Sequence, residues 1–343
     1  MGLGNLVLVG MLAAAAPGTG TGTLVVLNKS EATASIIDLA SGIEVATLPT
    51  GNGPHEAAVS PDGRTAVATN YGTREEPGRS LTVIEVAGAR VVRTVDLGPG
   101  RRPHGVRFVD GERVLVTAEG SKALLVVNVA SGAVEKVVET GQEVSHMVAA
   151  TPDGTRAFVA NIGSGTVTAI DLAAGKVLAQ VATGKGTEGI AVAPGGTEVW
   201  ATNREADTVS VIDPSSLKVL AELKAASFPI RVAFTPDGRH ALVSCARTGD
   251  VAVFDVAGRR ELRRLRSGLV PKGTANLLGF TGSVPVGIVI EPSGARAFVA
   301  HTNADAVAVF DLGAGALAAT LKAGREPDGM AFTPVVFEGI EKK

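Results

Sequence analysis

Short apolar runs separated by turn residues recur along most of the chain, and their spacing predicts strands rather than helices. Residues 146–182 show the unit, with runs at 146–151, 156–161, 166–171 and 176–182. The first break is Pro152-Asp153-Gly154, and Gly165 and Gly175 close the next two. Proline presets one backbone corner and glycine supplies a positive φ, so each break reverses the chain. The phrase Ser60-Pro61-Asp62-Gly63 returns as Thr151-Pro152-Asp153-Gly154 and Thr235-Pro236-Asp237-Gly238. Weaker copies are Val109-Asp110-Gly111, Ala193-Pro194-Gly195-Gly196 and Glu291-Pro292-Ser293-Gly294, with a last trace at Thr333-Pro334.

Seven anchors, 42 or 43 residues apart except at two longer steps, predict seven units of four strands, labelled a to d. That is the signature of an all-β, seven-bladed β-propeller with four-stranded blades. The first runs (24–28, 34–38, 44–48) correspond to strands b, c and d, and 329–333 supplies the missing strand a. The two ends are therefore expected to share the seventh blade, and one propeller domain is expected over 21–343.

Composition agrees with many short strands. Glycine is abundant (43 of 343 residues) and aromatics are scarce at 3%, which suits a turn-rich fold built from Val and Ala. A net charge of −2 argues against a duplex nucleic acid partner, and few aromatics are present to stack single-stranded bases. The basic run Arg259, Arg260, Arg263, Arg264 and Arg266 reads as a solvated outer strand. Cys245 is the single cysteine, so no intrachain disulfide forms.

Residues 1–12 are apolar and lead into Ala13 to Ala16, as in a secretory signal peptide. Residues 1–20 are thus expected to be a signal peptide and linker, with the mature protein periplasmic or extracellular. The run is too short for an ordinary membrane span, so no integral membrane domain is expected.

Phe158-Val159-Ala160-Asn161, Trp200-Ala201-Thr202-Asn203 and Val209-Ser210-Val211-Ile212-Asp213, together with the Pro-Asp-Gly turns, resemble the YVTN-repeat β-propellers over roughly residues 24–334. The resemblance implies an exported binding or surface protein. Related seven-bladed folds include lactonases and the haem-d1 domain of nitrite reductases.

Blade phasing also locates candidate chemistry. The opening position of strand a reads His55, His104, His146, Glu188, Ile230, Val286 and Asp328 around the ring. Asp328, His55, His104, His146 and Glu188 then form one polar arc at a channel mouth, a donor set suited to a divalent metal ion. Repetition alone could also place histidines there. The last position of strand b reads Asn28, Asn70, Ala118, Asn161, Asn203, Cys245 and His301. Asn70, Asn161, Asn203 and His301 are candidate ligand contacts, and a turn-supporting role for the asparagines is the competing reading. Arg107 replaces an Ala or Val found in the other strands a. It needs either a carboxylate partner or an anionic ligand.

Acids ending strand c (Asp38, Glu85, Asp171, Asp213, Asp255, Asp311) recur before turns and are expected to cap them. Two long connections, 73–80 and 267–285, overlook the same mouth, the second with Leu277, Leu278 and Phe280. The expected function is a monomeric, exported propeller binding a small molecule, metal or partner protein at this mouth. Alternatives are a metal-dependent or His-assisted enzyme of lactonase or lyase type, and a haem or metal cofactor carrier. Catalytic residues are not identifiable from the sequence.

Overall fold

The computed structural model describes residues 20–225, 227–272 and 279–339. Within them lie seven four-stranded antiparallel sheets, each strand pairing with its sequence neighbour. Strand a is Pro54–Val59, Pro103–Phe108, Ser145–Ala150, Thr187–Val192, Pro229–Phe234, Pro285–Ile290 and Pro327–Thr333 in blades 1 to 7. Blade 7 is closed by both ends of the chain: Val25 pairs with Ala331 and Thr23 with Thr333. The strand bounds agree with the periodicity to within two residues in blades 3 and 7. No helix among the described residues is long and apolar enough to cross a membrane.

Each blade packs its apolar faces on its two neighbours. Between blades 1 and 2, Val67, Leu81 and Val83 meet Val106, Val114 and Val116. Between blades 7 and 1, Val25 and Leu27 meet Ala66, Ala68 and Ile84. The closing interface is thus as apolar as the others, and hydrophobic burial holds the ring shut.

The acids that end strand c cap the c–d turns as expected. Asp213 accepts from the Ser215 amide at 2.7 Å, Asp311 from the Ala314 amide at 2.8 Å and Asp38 from the Ser41 amide at 2.9 Å. The connection expected over 73–80 is shorter. Strands Thr65–Gly72 and Pro77–Glu85 continue up to a Gly72–Pro77 pair, leaving only 73–76 as the turn. The Arg260–Arg266 strand is an exposed outer edge, where Arg264 pairs with Asp250 (2.9 Å) and Glu261 (2.7 Å). The expected signal peptide falls, except for Gly20, outside the described residues, as do Leu277 and Leu278.

Two repeated devices shape the mouth. A bulge interrupts strand a after its first residue, so the ladder in blade 1 resumes from Pro54 only at Ala57, and in blade 5 from Pro229 only at Val232. The bypassed residues turn away from the sheet, as bulges re-aim side chains. In addition, the residue before each strand a has a positive φ: Gly53, Arg102, Val144, Gly186, Phe228, Val284 and Glu326. Its carbonyl accepts the amide of the residue that follows the last aligned position of strand b, as in Tyr71 to Gly53 (3.1 Å), Glu119 to Arg102 (3.1 Å) and Arg204 to Gly186 (3.0 Å). Every blade therefore brings the residue after that aligned position beside the opening of strand a.

Candidate functional site: a blind polar bowl at the channel mouth

The histidines of the opening position do meet. His55 and His104 lie 4.9 Å apart edge-on, and His104 and His146 lie 3.6 Å apart, both between ring centroids. Tyr71, the only tyrosine of the chain, extends the series at 4.5 Å from His55. Threonine hydroxyls hold the backbone of two of these residues: Thr69 donates to the His104 carbonyl at 2.8 Å and Thr117 to that of His146 at 2.5 Å.

Neighbouring carboxylates differentiate the three imidazoles. Glu119 hydrogen-bonds His146 Nδ1 and accepts from the Tyr71 hydroxyl at 2.6 Å. His146 Nε2 lies 3.5 Å from Glu188, too far for a sound hydrogen bond, and is unpartnered and buried. Burial lowers the His146 pKa, but Glu119 and Glu188 outweigh it and leave it raised. His104 has no carboxylate partner; burial and then the His146 and His55 charges hold its pKa well below the usual value, and its Nδ1 is unpartnered. His55 donates Nδ1–H to the Gly53 carbonyl at 2.7 Å, and burial brings its pKa to about 4. Two imidazolium rings stacked this closely would repel, so the carboxylate-flanked His146 takes the proton.

The bowl has a floor. Arg231, directly after the opening residue of blade 5, reaches across the channel to Glu56 of blade 1 at 2.7 and 3.0 Å and to Glu188 of blade 4 at 3.1 Å. All three are buried. Burial pushes Glu56 up, only partly offset by Arg231. Glu188 sits at about 2: burial would raise it, but His146, Arg231 and Arg204 overcome that. Elsewhere this position is mostly glycine, because the strands a crowd together. A Cβ on Gly105 would lie 2.8 Å from the His146 carbonyl, and one on Gly189 2.3 Å from that of Ile230. On the rim, Lys29 pairs with Asp328 at 3.4 Å and Arg204 with Glu188 at 2.7 Å. The remaining arc is apolar, with Ile230, Val284 and Val286 under Phe228 and Phe280.

The expected residues divide accordingly. His55, His104, His146, Glu188 and Asp328 all reach the bowl, but Glu188 and Asp328 are engaged by arginine and lysine, and the donors that converge for a metal are His104, His146 and Glu119. Asn70, Asn161 and Asn203 do not join them. Their amides are buried inside the blades on strand-c hydroxyls, Asn203 for example on Thr208 (3.0 Å) and Ser210 (2.9 Å). His301 lies equally deep, bonded to Ser283 at 3.0 Å. Arg107 faces away from the bowl, paired in register with Leu115, and is exposed with no ion pair among the described residues.

Sequence reasoning missed Glu56, Arg231, Lys29, Tyr71, Glu119 and Arg204. All sit one residue beyond a position already aligned around the ring. Reading that next position in each blade would have found them.

The fold and its central bowl define a seven-bladed β-propeller, an architecture that serves binding and scaffolding. A family model described as YNCE-like beta-propeller matches residues 108–280, and the chain belongs to that family. No curated protein matches it. Among solved structures it is similar to a functionally unknown protein from Desulfotomaculum acetoxidans DSM 771, with a TM-score of 0.77 at 13% identity, covering 91% of this chain and 99% of that one. It is also similar to Kuenenia stuttgartiensis hydrazine synthase, with a TM-score of 0.68 at 20% identity, covering 83% and 90%. At these identities the likeness is one of fold.

Proposed function

We propose that this propeller is a binding protein that takes a small, polar, uncharged or zwitterionic molecule into the bowl. The carrying observation is a set of buried polar atoms with no partner there: His104 Nδ1, His146 Nε2, Asp328 Oδ1 and Arg204 Nε. Leaving such groups unpaired costs about 1–3 kcal/mol each, and a ligand offering both donors and acceptors would recover that. The charged groups largely pair with one another, so no large net field selects a strongly charged ligand. The Arg231–Glu56 floor favours capture over passage through the channel. Export, supported by the apolar 1–12 run and the alanines after it, would place this binding outside the cytoplasm.

Thermal melts of the chelator-treated protein against amino acids, hydroxy acids and small sugars test the reading. A ligand at a hundredfold its Kd adds about 2.7 kcal/mol, a shift of several degrees. The expected result is at least one such shift, reduced in Arg204→Ala. No shift across the panel, or one indifferent to Arg204→Ala, contradicts it.

A further inference from the structure

We propose that the bowl holds a divalent transition-metal ion of the zinc type, ligated by His104, His146 and Glu119. The inference deepens the binding reading above and rests on it. One ligand atom from each of these residues lies within 4.8 Å of the others. Bonds of about 2.0–2.1 Å in a tetrahedral zinc site put donors roughly 3.4 Å apart, so closure needs side-chain adjustments of an ångström or so. Two imidazoles and one carboxylate form a mixed nitrogen and oxygen set that suits zinc, and three protein ligands leave a coordination position open.

Three independent features point to an ion rather than to a self-contained polar cluster. The first is an orphaned donor: His104 Nδ1 is buried without a hydrogen-bond partner, in a residue more than nine-tenths buried, while His146 offers the Nδ1 that faces Glu119. The second is the support behind the carboxylate. The Tyr71 hydroxyl holds the second oxygen of Glu119 at 2.6 Å, and Arg102 stacks over Tyr71 at 5.2 Å. Metal-bound carboxylates are characteristically oriented in this way by an outer hydrogen bond. The third is backbone definition. The carbonyls of His104 and His146 are clamped by Thr69 and Thr117, and Glu119 follows its strand directly, its amide on the Arg102 carbonyl at 3.1 Å. All three ligands thus come from adjacent blades 2 and 3, two from the openings of strand a and one from the residue after strand b. In the metal-free chain a proton between Glu119 and His146 serves as the countercharge, and the ion displaces it.

Glu188 and Asp328 stay outside the ligand set, because Arg231, Arg204 and Lys29 already engage them. His55 stands next to the set at 4.9 Å from His104, with Nδ1 committed to Gly53 and Nε2 left as its acceptor. It is placed to meet whatever fills the open position.

The test uses the full chain stripped with chelator, then titrated with zinc by calorimetry, with bound metal counted by elemental analysis. We expect one zinc per chain. Affinity should fall about 100-fold or more in His104→Ala and at least about tenfold in Glu119→Gln. Tyr71→Phe, which touches no metal, should weaken binding by about 10–100-fold through the loss of carboxylate orientation. His240→Ala, at the opposite end of strand b, should bind as the parent does. Melts in chelator check that each variant folds, and should His104→Ala fail, Glu119→Gln and Tyr71→Phe carry the test. A stripped parent that takes up no zinc, or variants that bind it as tightly as the parent, overturns the proposal. A chain that refuses zinc yet responds to the small-molecule panel refutes the metal and spares the binding reading. Zinc uptake with no response to the panel does the opposite.

Discussion

His301 shows how one residue can depart from its repeat and leave a measurable mark. The position is asparagine in blades 1, 3, 4 and 7, each amide serving hydroxyls on strand c; in blade 6 those hydroxyls are replaced by Ala306 and Ala308. Burial lowers the His301 pKa from 6.5 to about 4. The unfolded chain therefore binds this proton first, and the associated stability, complete above pH 6.5, is lost as pH falls toward 4. At its limit the loss is about 3 kcal/mol. The triple variant His301→Asn/Ala306→Thr/Ala308→Ser imports the asparagine arrangement. Its denaturation midpoint should fall less than the parent's between pH 6.5 and 4.5, and parallel curves would refute the assignment.

The same scale explains what was legible in advance. His55, His104 and His146 were found because blade phasing aligns them, and the structure stacks their rings. Asn70, Asn161 and Asn203 were equally aligned but are structural, since a pair of strand-c hydroxyls two residues apart consumes each amide. Periodicity finds equivalent positions; it does not distinguish a side chain spent inside a blade from one presented to the channel. Glu119 was missed because it lies past the end of its strand, and Tyr71 because its strand runs on beyond Asn70, the last position that the repeat aligns. Only the bond to the positive-φ residue before strand a brings them to the mouth.

Among the elements, strand a carries the greatest constraint. Its third residue is glycine in blades 2, 4, 6 and 7, where a side chain would strike the backbone of the next strand a. Blades 1 and 5 use that place for Glu56 and Arg231 instead. Gly189→Ala puts a Cβ 2.3 Å from the Ile230 carbonyl and 2.8 Å from Arg231 Cα, contacts that backbone movement alone can relieve. We expect a loss of about 1–3 kcal/mol or more in chemical denaturation. A neutral Gly189→Ala would mean that the strands are not packed this closely. The bulge beside this glycine was invisible to hydrophobic patterning, because bypassed residues break no alternation that a six-residue strand can display.

Across the whole molecule, seven apolar interfaces close the ring and one polar crossing blocks its centre. Arg231 joins blades 5, 1 and 4 through Glu56 and Glu188, three buried groups. Removing the cation alone strands the Glu56 carboxylate, since Glu188 keeps Arg204, so Arg231→Met should cost about 3–5 kcal/mol. Adding Glu56→Leu should return a large part of that, because the pair is lost together; a purely additive double variant would argue against the crossing. The ring itself was fully legible from the spacing of its turns. The crossing was not, because it joins residues 175 positions apart whose only shared feature is their place after the opening of strand a.

The central claim is that ligands enter the bowl of blades 7 and 1 to 4. The five imidazoles can report this directly: His55, His104 and His146 line the bowl, His301 is inside blade 6, and His240 begins a strand at the far end. Imidazole nitrogen spectra of the labelled chain, recorded while adding either zinc or the best compound of the panel, locate the ligand. The account predicts shifts or broadening confined to His55, His104 and His146, with His240 and His301 unchanged. Movement of His240 or His301 while the other three stay fixed would contradict it.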